Sequence, residues 1–168
     1  MASLQESMVE YKTQLERGTI QTAYRGLMDY IMGFRTHFAK SYPDLEVSRS
    51  VYYGYMDMTY FSVFPAALKA NKLKIPIVFQ HEAFRFEVWL SGMNKRVQAE
   101  YCERIQASDW DTYPVVPQGR FVDSILEHVL VNDPDFSDLN LLTEKLERGT
   151  LAFIEEMDAL LAKAGPLD

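Results

Sequence analysis

Leu73-Lys74-Ile75-Pro76-Ile77-Val78-Phe79-Gln80, then His81-Glu82-Ala83, then Phe84-Arg85-Phe86-Glu87-Val88-Trp89-Leu90, is the stretch that decides the fold. In the first run Leu73, Ile75, Ile77 and Phe79 alternate with Lys74, Pro76, Val78 and Gln80. In the second, Phe84, Phe86, Val88 and Leu90 share one face, and Arg85, Glu87 and Trp89 the other. A period of two belongs to a β-strand, because successive side chains point to opposite sides of the sheet. Two such runs joined by a short turn predict a hairpin over 73–90, with Phe84, Phe86, Val88 and Leu90 in the core. Pro76 has no N–H to give a ladder, so its strand is expected at a sheet edge or at a local bulge.

Working back from the hairpin, Pro65 to Asn71 reads as a short helical turn. Val51 to Phe64 is rich in Tyr, Phe, Val and Thr, which predicts a strand over about 51–63. Gly54 marks a bulge or a close contact within it. Further back, Ser3-Leu4-Gln5-Glu6 has capping-box spacing, and the helix it opens, about 4–17, stops at Gly18. A second helix follows over about 19–40, its apolar face being Ile20, Tyr24, Leu27, Ile31, Phe34 and Phe38. Gly26 and Gly33 lie inside it. Each costs about 1 kcal/mol relative to Ala; the expected compensation is close approach of another backbone, or of a ligand, with packing the preferred reading.

Working forward, Ser91-Gly92 ends the hairpin, and Asn94 caps a helix over about 95–106 with Val97, Tyr101 and Ile105 turned inward. Val122, Ile125, Leu126, Val129 and Leu130 form an apolar stripe that reads as a helix stopped by Asp133-Pro134. Two more helices are expected, about 138–148 and 150–163. The string Leu15-Glu16-Arg17-Gly18-Thr19 recurs as Leu146-Glu147-Arg148-Gly149-Thr150, and both copies read as a stop at Gly and a restart capped by Thr. The fold class is α+β: a small, mainly antiparallel sheet (strands about 51–63, 73–80 and 84–90) packed with N- and C-terminal helices, in one globular domain over 1–168.

The chain has 168 residues, the length of one ordinary domain, with 48% hydrophobic and 24% charged residues. A net charge of −7 argues against nucleic acid, whose binders carry a basic stripe. Lys69, Lys72 and Lys74 are too small a cluster to overcome the overall repulsion. The one cysteine, Cys102, forms no intramolecular disulfide and suits a reducing compartment. Met1 to Lys12 lacks the pattern of a signal peptide. No apolar run approaches about 18 residues, so no membrane span is expected. A cytoplasmic location follows.

Several chemistries fail on residue type or spacing. His81-Glu82 begins a zinc-protease signature, but Arg85 stands where the second His belongs. His37, His81 and His128 lie on separate elements, and no His or Cys spacing supports a metal. Ser124 and His128 lie four apart on the expected helix, near Asp123 and Glu127, without the sharp turn a nucleophilic serine needs. Cys102 has no neighbouring base, and no Gly-rich phosphate loop exists. A nuclease-like pair of Asp57 and Glu87 lacks the lysine two residues after the Glu, where Trp89 stands.

What remains is the polar hairpin face and the helix after it: Arg85, Glu87, Trp89, Asn94, Arg96 and Gln98. An Arg, a Glu and an aromatic plate suit a small polar ligand or a peptide. The competing reading is a covered face, with Arg85–Glu87 a structural ion pair. Tyr52, Tyr53, Tyr55 and Tyr60, with Asp57 among them, suggest a wet cleft or an interface rim. The competing reading there is a sheet packed by the 19–40 helix.

The strings Gly54-Tyr55-Met56-Asp57-Met58-Thr59-Tyr60-Phe61 and Phe84-Arg85-Phe86-Glu87-Val88-Trp89-Leu90, with Asn94-Lys95 and Gln98, resemble a bacterial family of uncharacterised proteins of about this length. Val122-Asp123-Ser124-Ile125-Leu126-Glu127-His128 and Glu147-Arg148-Gly149-Thr150-Leu151 resemble its later segments. The resemblance implies a bacterial, cytosolic, single-domain protein of unknown function, with a bulky aromatic common at the position of Cys102. It carries over no catalytic or binding role.

The expected function is therefore a non-enzymatic binding or protein-interaction domain, without cofactor or metal and with a homodimer as its assembly. Its partner would be a small polar ligand or a protein. The alternative is an enzyme on a small polar or anionic substrate, with Arg85 and Arg96 as anchors and Glu87 or His81 as acid or base. A weaker alternative is a degenerate nuclease-like fold.

Overall fold

The computed structural model describes residues 2–165. Among them lie, in chain order, α1 (Leu4–Arg17), α2 (Thr19–Ser41), β1 (Glu46–Val47), β2 (Met58–Phe64), α3 (Ala66–Ala70), β3 (Leu73–Gln80), β4 (Arg85–Gly92), α4 (Lys95–Ala107), β5 (Leu126–Asn132) and α5 (Leu139–Ala164). The fold is α+β, with one antiparallel sheet in the order β1-β2-β3-β4-β5. The chain divides into two compact units, Met1–Phe34 and Arg35–Asp168.

In the first unit, Ser3 caps α1: its Oγ accepts the Glu6 N–H at 3.2 Å, and the Glu6 carboxylate accepts the Ser3 N–H at 2.6 Å. Gly18 closes the helix at φ +73°, a conformation that costs a Cβ-bearing residue about 1–2 kcal/mol, and donates its N–H to the Leu15 carbonyl. Gly26 and Gly33 overturn the expectation of close packing. Both are exposed, and a Cβ on either would meet nothing within 4 Å among the described residues.

In the second unit, the hairpin forms as β3 and β4, with Ile77 opposite Val88 and Phe79 opposite Phe86. Opposed residues share a face, so Leu73, Ile75, Ile77 and Phe79 join Phe86, Val88 and Leu90 on one side. Leu73 and Leu90 there meet Leu68 of α3, Tyr101 and Ile105 of α4, and Met157 and Leu160 of α5. Phe84 departs from expectation. It sits in the turn at φ +49°, outside the strand, and is exposed.

Pro76 is not at an edge. β3 lies between β2 and β4, and Pro76 pairs with Ser62 of β2. On the β4 side the ladder lapses instead: Lys74 opposes Ser91, and pairing resumes in the same register at Ile77 and Val88. The lapse falls where the backbone has no N–H to offer.

β2 begins at Met58, later than expected. Residues 51–57 form a loop tied to it by one bridge, Tyr52 with Tyr60. Gly54 turns that loop at φ +70°, where a Cβ would lie 2.2 Å from the Met58 carbonyl oxygen.

The stripe after Val122 is a strand, β5, not a helix. Its β-branched Val129 and Val131 suit the pleat. Its register slips by one residue between Phe86/Val131 and Glu87/Val129, which leaves Leu130 as the extra residue of a bulge. The two expected C-terminal helices are one, α5, which runs unbroken through Gly149. α5 packs on β5 and β4, and α4 on β4.

Candidate functional site

β4 holds three of the expected ligand residues. Same-face residues two apart on a strand are close enough to pair, and here they do. Arg85 Nε donates to Glu87 Oε1 at 2.6 Å, and Trp89 Nε1 donates to Glu87 Oε2 at 2.6 Å. Glu87 is 1% exposed and Trp89 6%. A carboxylate that deep requires compensation, and two donors on its own strand supply it.

The other three residues are not brought to that network. β4 runs from Arg85 to Gly92, about 23 Å at ~3.3 Å per residue, and Asn94 lies past its far end. Asn94 caps α4, its Oδ1 accepting the Val97 N–H at 3.0 Å. Arg96 is exposed and pairs with Glu100 on its own helix at 3.6 Å. Gln98 is buried and donates to Gln118 Oε1 and the Val122 carbonyl, both at 2.9 Å.

Tyr53, Tyr55 and Asp57 fall in a different place. Met58 pairs with Gln80, Gln80 with Arg85 and Arg85 with Asn132, so residues 53–57, 81–84 and 133–136 all leave the same end of the sheet. The loops are tied together there. The His81 N–H donates to the Asp57 carbonyl at 3.0 Å, and Phe84 and Phe136 meet ring to ring at 6.2 Å. Phe79 lies beneath, edge-on to His81 at 5.1 Å and to Phe84 at 5.4 Å.

Each of the three loops contains a non-glycine residue at positive φ: Met56 at +61°, Phe84 at +49° and Asp133 at +45°. Asp visits this region readily; Met and Phe rarely do. The strained turns leave Tyr53, Tyr55, Met56 and Phe84 exposed, Tyr55 at 92%. Asp57 Oδ1 accepts the Tyr55 N–H at 2.8 Å, and this bond, with a second from the Met58 N–H, holds the carboxyl below its usual range.

His81 sits at the edge of this cluster. Thr59 Oγ1 lies 2.7 Å from the Tyr53 carbonyl and 2.9 Å from His81 Nε2. The hydroxyl has one proton, which goes to the carbonyl, so Nε2 must carry the proton it shares with Oγ1. Burial pushes the His81 pKa below its ordinary 6.5, and Asp57 offsets part of that. The neutral ring fits a donor role toward Thr59.

The remaining candidates have structural partners. His37 Nε2 lies 2.7 Å from Glu147 Oε2, and Tyr42 donates to the other carboxylate oxygen. Burial raises the Glu147 pKa, but the bonds from Tyr42 and His37 outweigh it and leave the carboxyl below its usual range. Ser124 Oγ donates to Glu127 at 2.5 Å, while His128 lies on β5 in a triangle of rings with Tyr113 and Phe153, at 5.0 and 6.3 Å, those two being 5.5 Å apart. Cys102 is buried, which pushes its thiol up. Among the described residues no three His, Cys, Asp or Glu side chains converge to hold a metal ion.

Sequence reasoning missed Phe84, Met56 and Asp133 as a group. No residue type announces a left-handed Met or Phe. The only legible hint was that three turns must leave one end of an antiparallel sheet, and the third came from β5, which read as a helix.

The molecule is thus an open antiparallel meander with helices and a three-loop end. A family model described as a domain of unknown function (DUF7000) matches residues 4–161, and the chain belongs to that family. No curated protein and no solved structure matches it. No helix among the described residues is long and apolar enough to cross a membrane.

Proposed function

We propose that this protein is a non-enzymatic interaction domain and that its contact surface is the three-loop end of the sheet, residues 53–57, 81–84 and 133–136. One observation carries the reading. Two bulky apolar residues, Met56 and Phe84, hold strained backbone at positions that leave about half of each exposed, 50% and 47%. Such strain costs on the order of 1–3 kcal/mol per residue and collects where function requires it.

The charge of the rim supports a partner class. Asp57, Glu82, Asp133 and Asp135 surround the exposed aromatics, and the one arginine beside them, Arg85, is engaged by Glu87. A basic segment with apolar side chains, from another protein, complements that surface. The unpaired, buried Cys102 supports a reducing, cytosolic setting. A bacterial homodimer is the proposed form.

The test is a titration of the isotope-labelled chain, followed by amide NMR, with a short peptide of Arg, Lys, Leu and Trp. Shifts are expected at 53–57, 81–84 and 133–136, and they should weaken as salt rises. The reading fails if an acidic peptide does the same, or if shifts gather around Asn94 and Arg96 instead.

A further inference from the structure

We infer that α1 is a self-association helix whose Leu4, Met8, Tyr11 and Leu15 stripe pairs with the same stripe on a second copy of the chain. No α1 residue is buried. Leu4 is 80% exposed, Met8 50% and Tyr11 53%. Isolated helices shorter than about 12–15 residues are marginal in water, so a fourteen-residue helix with no buried face calls for something to pack on.

The spacing of the stripe selects the occupant. Steps of four, three and four residues follow the 3.5-residue repeat of a seam between two helices. The positions flanking the seam are Gln5, Ser7, Lys12 and Gln14, with no carboxylate among them. A chain of net charge −7 would repel its own copy through most surfaces, but not through this one.

The carboxylates of α1 lie on the far side and are already engaged: Glu6 by Ser3, Glu10 by Gln14 at 2.6 Å, and Glu16 by Lys12 at 3.7 Å. That acidic far side also opposes an anionic lipid surface, the other surface an amphipathic helix could lie on. A single stripe of four side chains covers far less than the roughly 800 Å² per partner of a standard interface. The pairing is therefore weak and concentration-dependent. It is independent of the three-loop surface.

Sedimentation equilibrium of the whole chain at up to about 100 μM tests this. A reversible dimer is expected. Leu4→Glu and Met8→Glu should each weaken it by about tenfold or more, the effect of ~1.4 kcal/mol. Val9→Glu, an equally exposed position off the stripe, should leave it unchanged. Far-UV circular dichroism checks that each variant keeps its helices, and Tyr11→Ser substitutes for any that does not. A chain that stays monomeric throughout overturns the inference, as does a dimer equally affected by Val9→Glu. So does a monomer that instead binds vesicles containing phosphatidylglycerol.

Discussion

The pentapeptide Leu-Glu-Arg-Gly-Thr occurs twice and folds two ways. At Leu15–Thr19 the glycine takes φ +73°, ends α1, and Thr19 is the first residue of α2. At Leu146–Thr150 the glycine lies inside α5, and the helix passes through it. Local preference is the same at both places, so the surroundings decide. The buried stripe of α5, Leu142, Leu146, Thr150, Phe153, Met157 and Leu160, keeps its steps of three and four across Gly149. Around Gly18 the apolar phase jumps by five, from Leu15 to Ile20. A helix that continued there would swing its apolar face to the wrong side.

The two glycines also do different work, and substitution separates them. Gly149 sits where α5 meets β5, and a Cβ there would lie 2.6 Å from Leu130 Cδ2, the bulge residue. Gly149→Phe is expected to cost about 2–3 kcal/mol, because the ring must displace the Leu130 side chain from between helix and strand. A urea midpoint unchanged from wild type would show that the contact is slack. Gly18 has nothing among the described residues within 4 Å of such a Cβ, so space is no obstacle and backbone strain is the penalty. Gly18→Val should cost about 1–2 kcal/mol, and Gly18→Asn clearly less, since Asn tolerates the left-handed region. Equal losses for Val and Asn would refute the strain account.

Hydrophobic phase also set how much of the fold was legible. The hairpin was read correctly because its period of two ran unbroken through Phe86, Val88 and Leu90. Pro76 misled because a missing N–H was taken to call for an edge or a local bulge, whereas the ladder lapses beside it and resumes in the same register. β5 was misread because Leu126, Val129 and Leu130 fit a helical stripe, and the bulge at Leu130 breaks the alternation that would have marked a strand. The candidate site divided in the same way. Arg85, Glu87 and Trp89 were found together because strand neighbours two apart are fixed by sequence. Their link to Asn94 and Arg96 failed because sequence proximity across a strand end says little about distance. The three-loop end depended on register, which no single segment encodes.

Gly33 extends the comparison to a third setting, a helix interior with open space around it. Here neither strain nor contact asks for glycine, so Gly33→Ala should stabilise by about 0.5–1 kcal/mol through helix propensity and the unfolded chain's lost entropy. Thermal unfolding measures it. A loss would mean that the α2 surface at Gly33 is occupied in solution.

The smallest effect lies at the last residue of the pentapeptide. Thr150 is fully buried, and among the described residues its hydroxyl has no hydrogen-bond partner. Thr19, by contrast, is exposed. A buried hydroxyl left unpaired forfeits its hydration without return, while an exposed one does not. Thr150→Val keeps the shape and the β-branch, so it should raise stability by about 0.5–1 kcal/mol. Thr19→Val removes a solvated group and should change stability by less than about 0.5 kcal/mol. If Thr150→Val were instead destabilising, the hydroxyl would be making a bond in solution, and α5 would be held at Gly149-Thr150 by more than its apolar stripe.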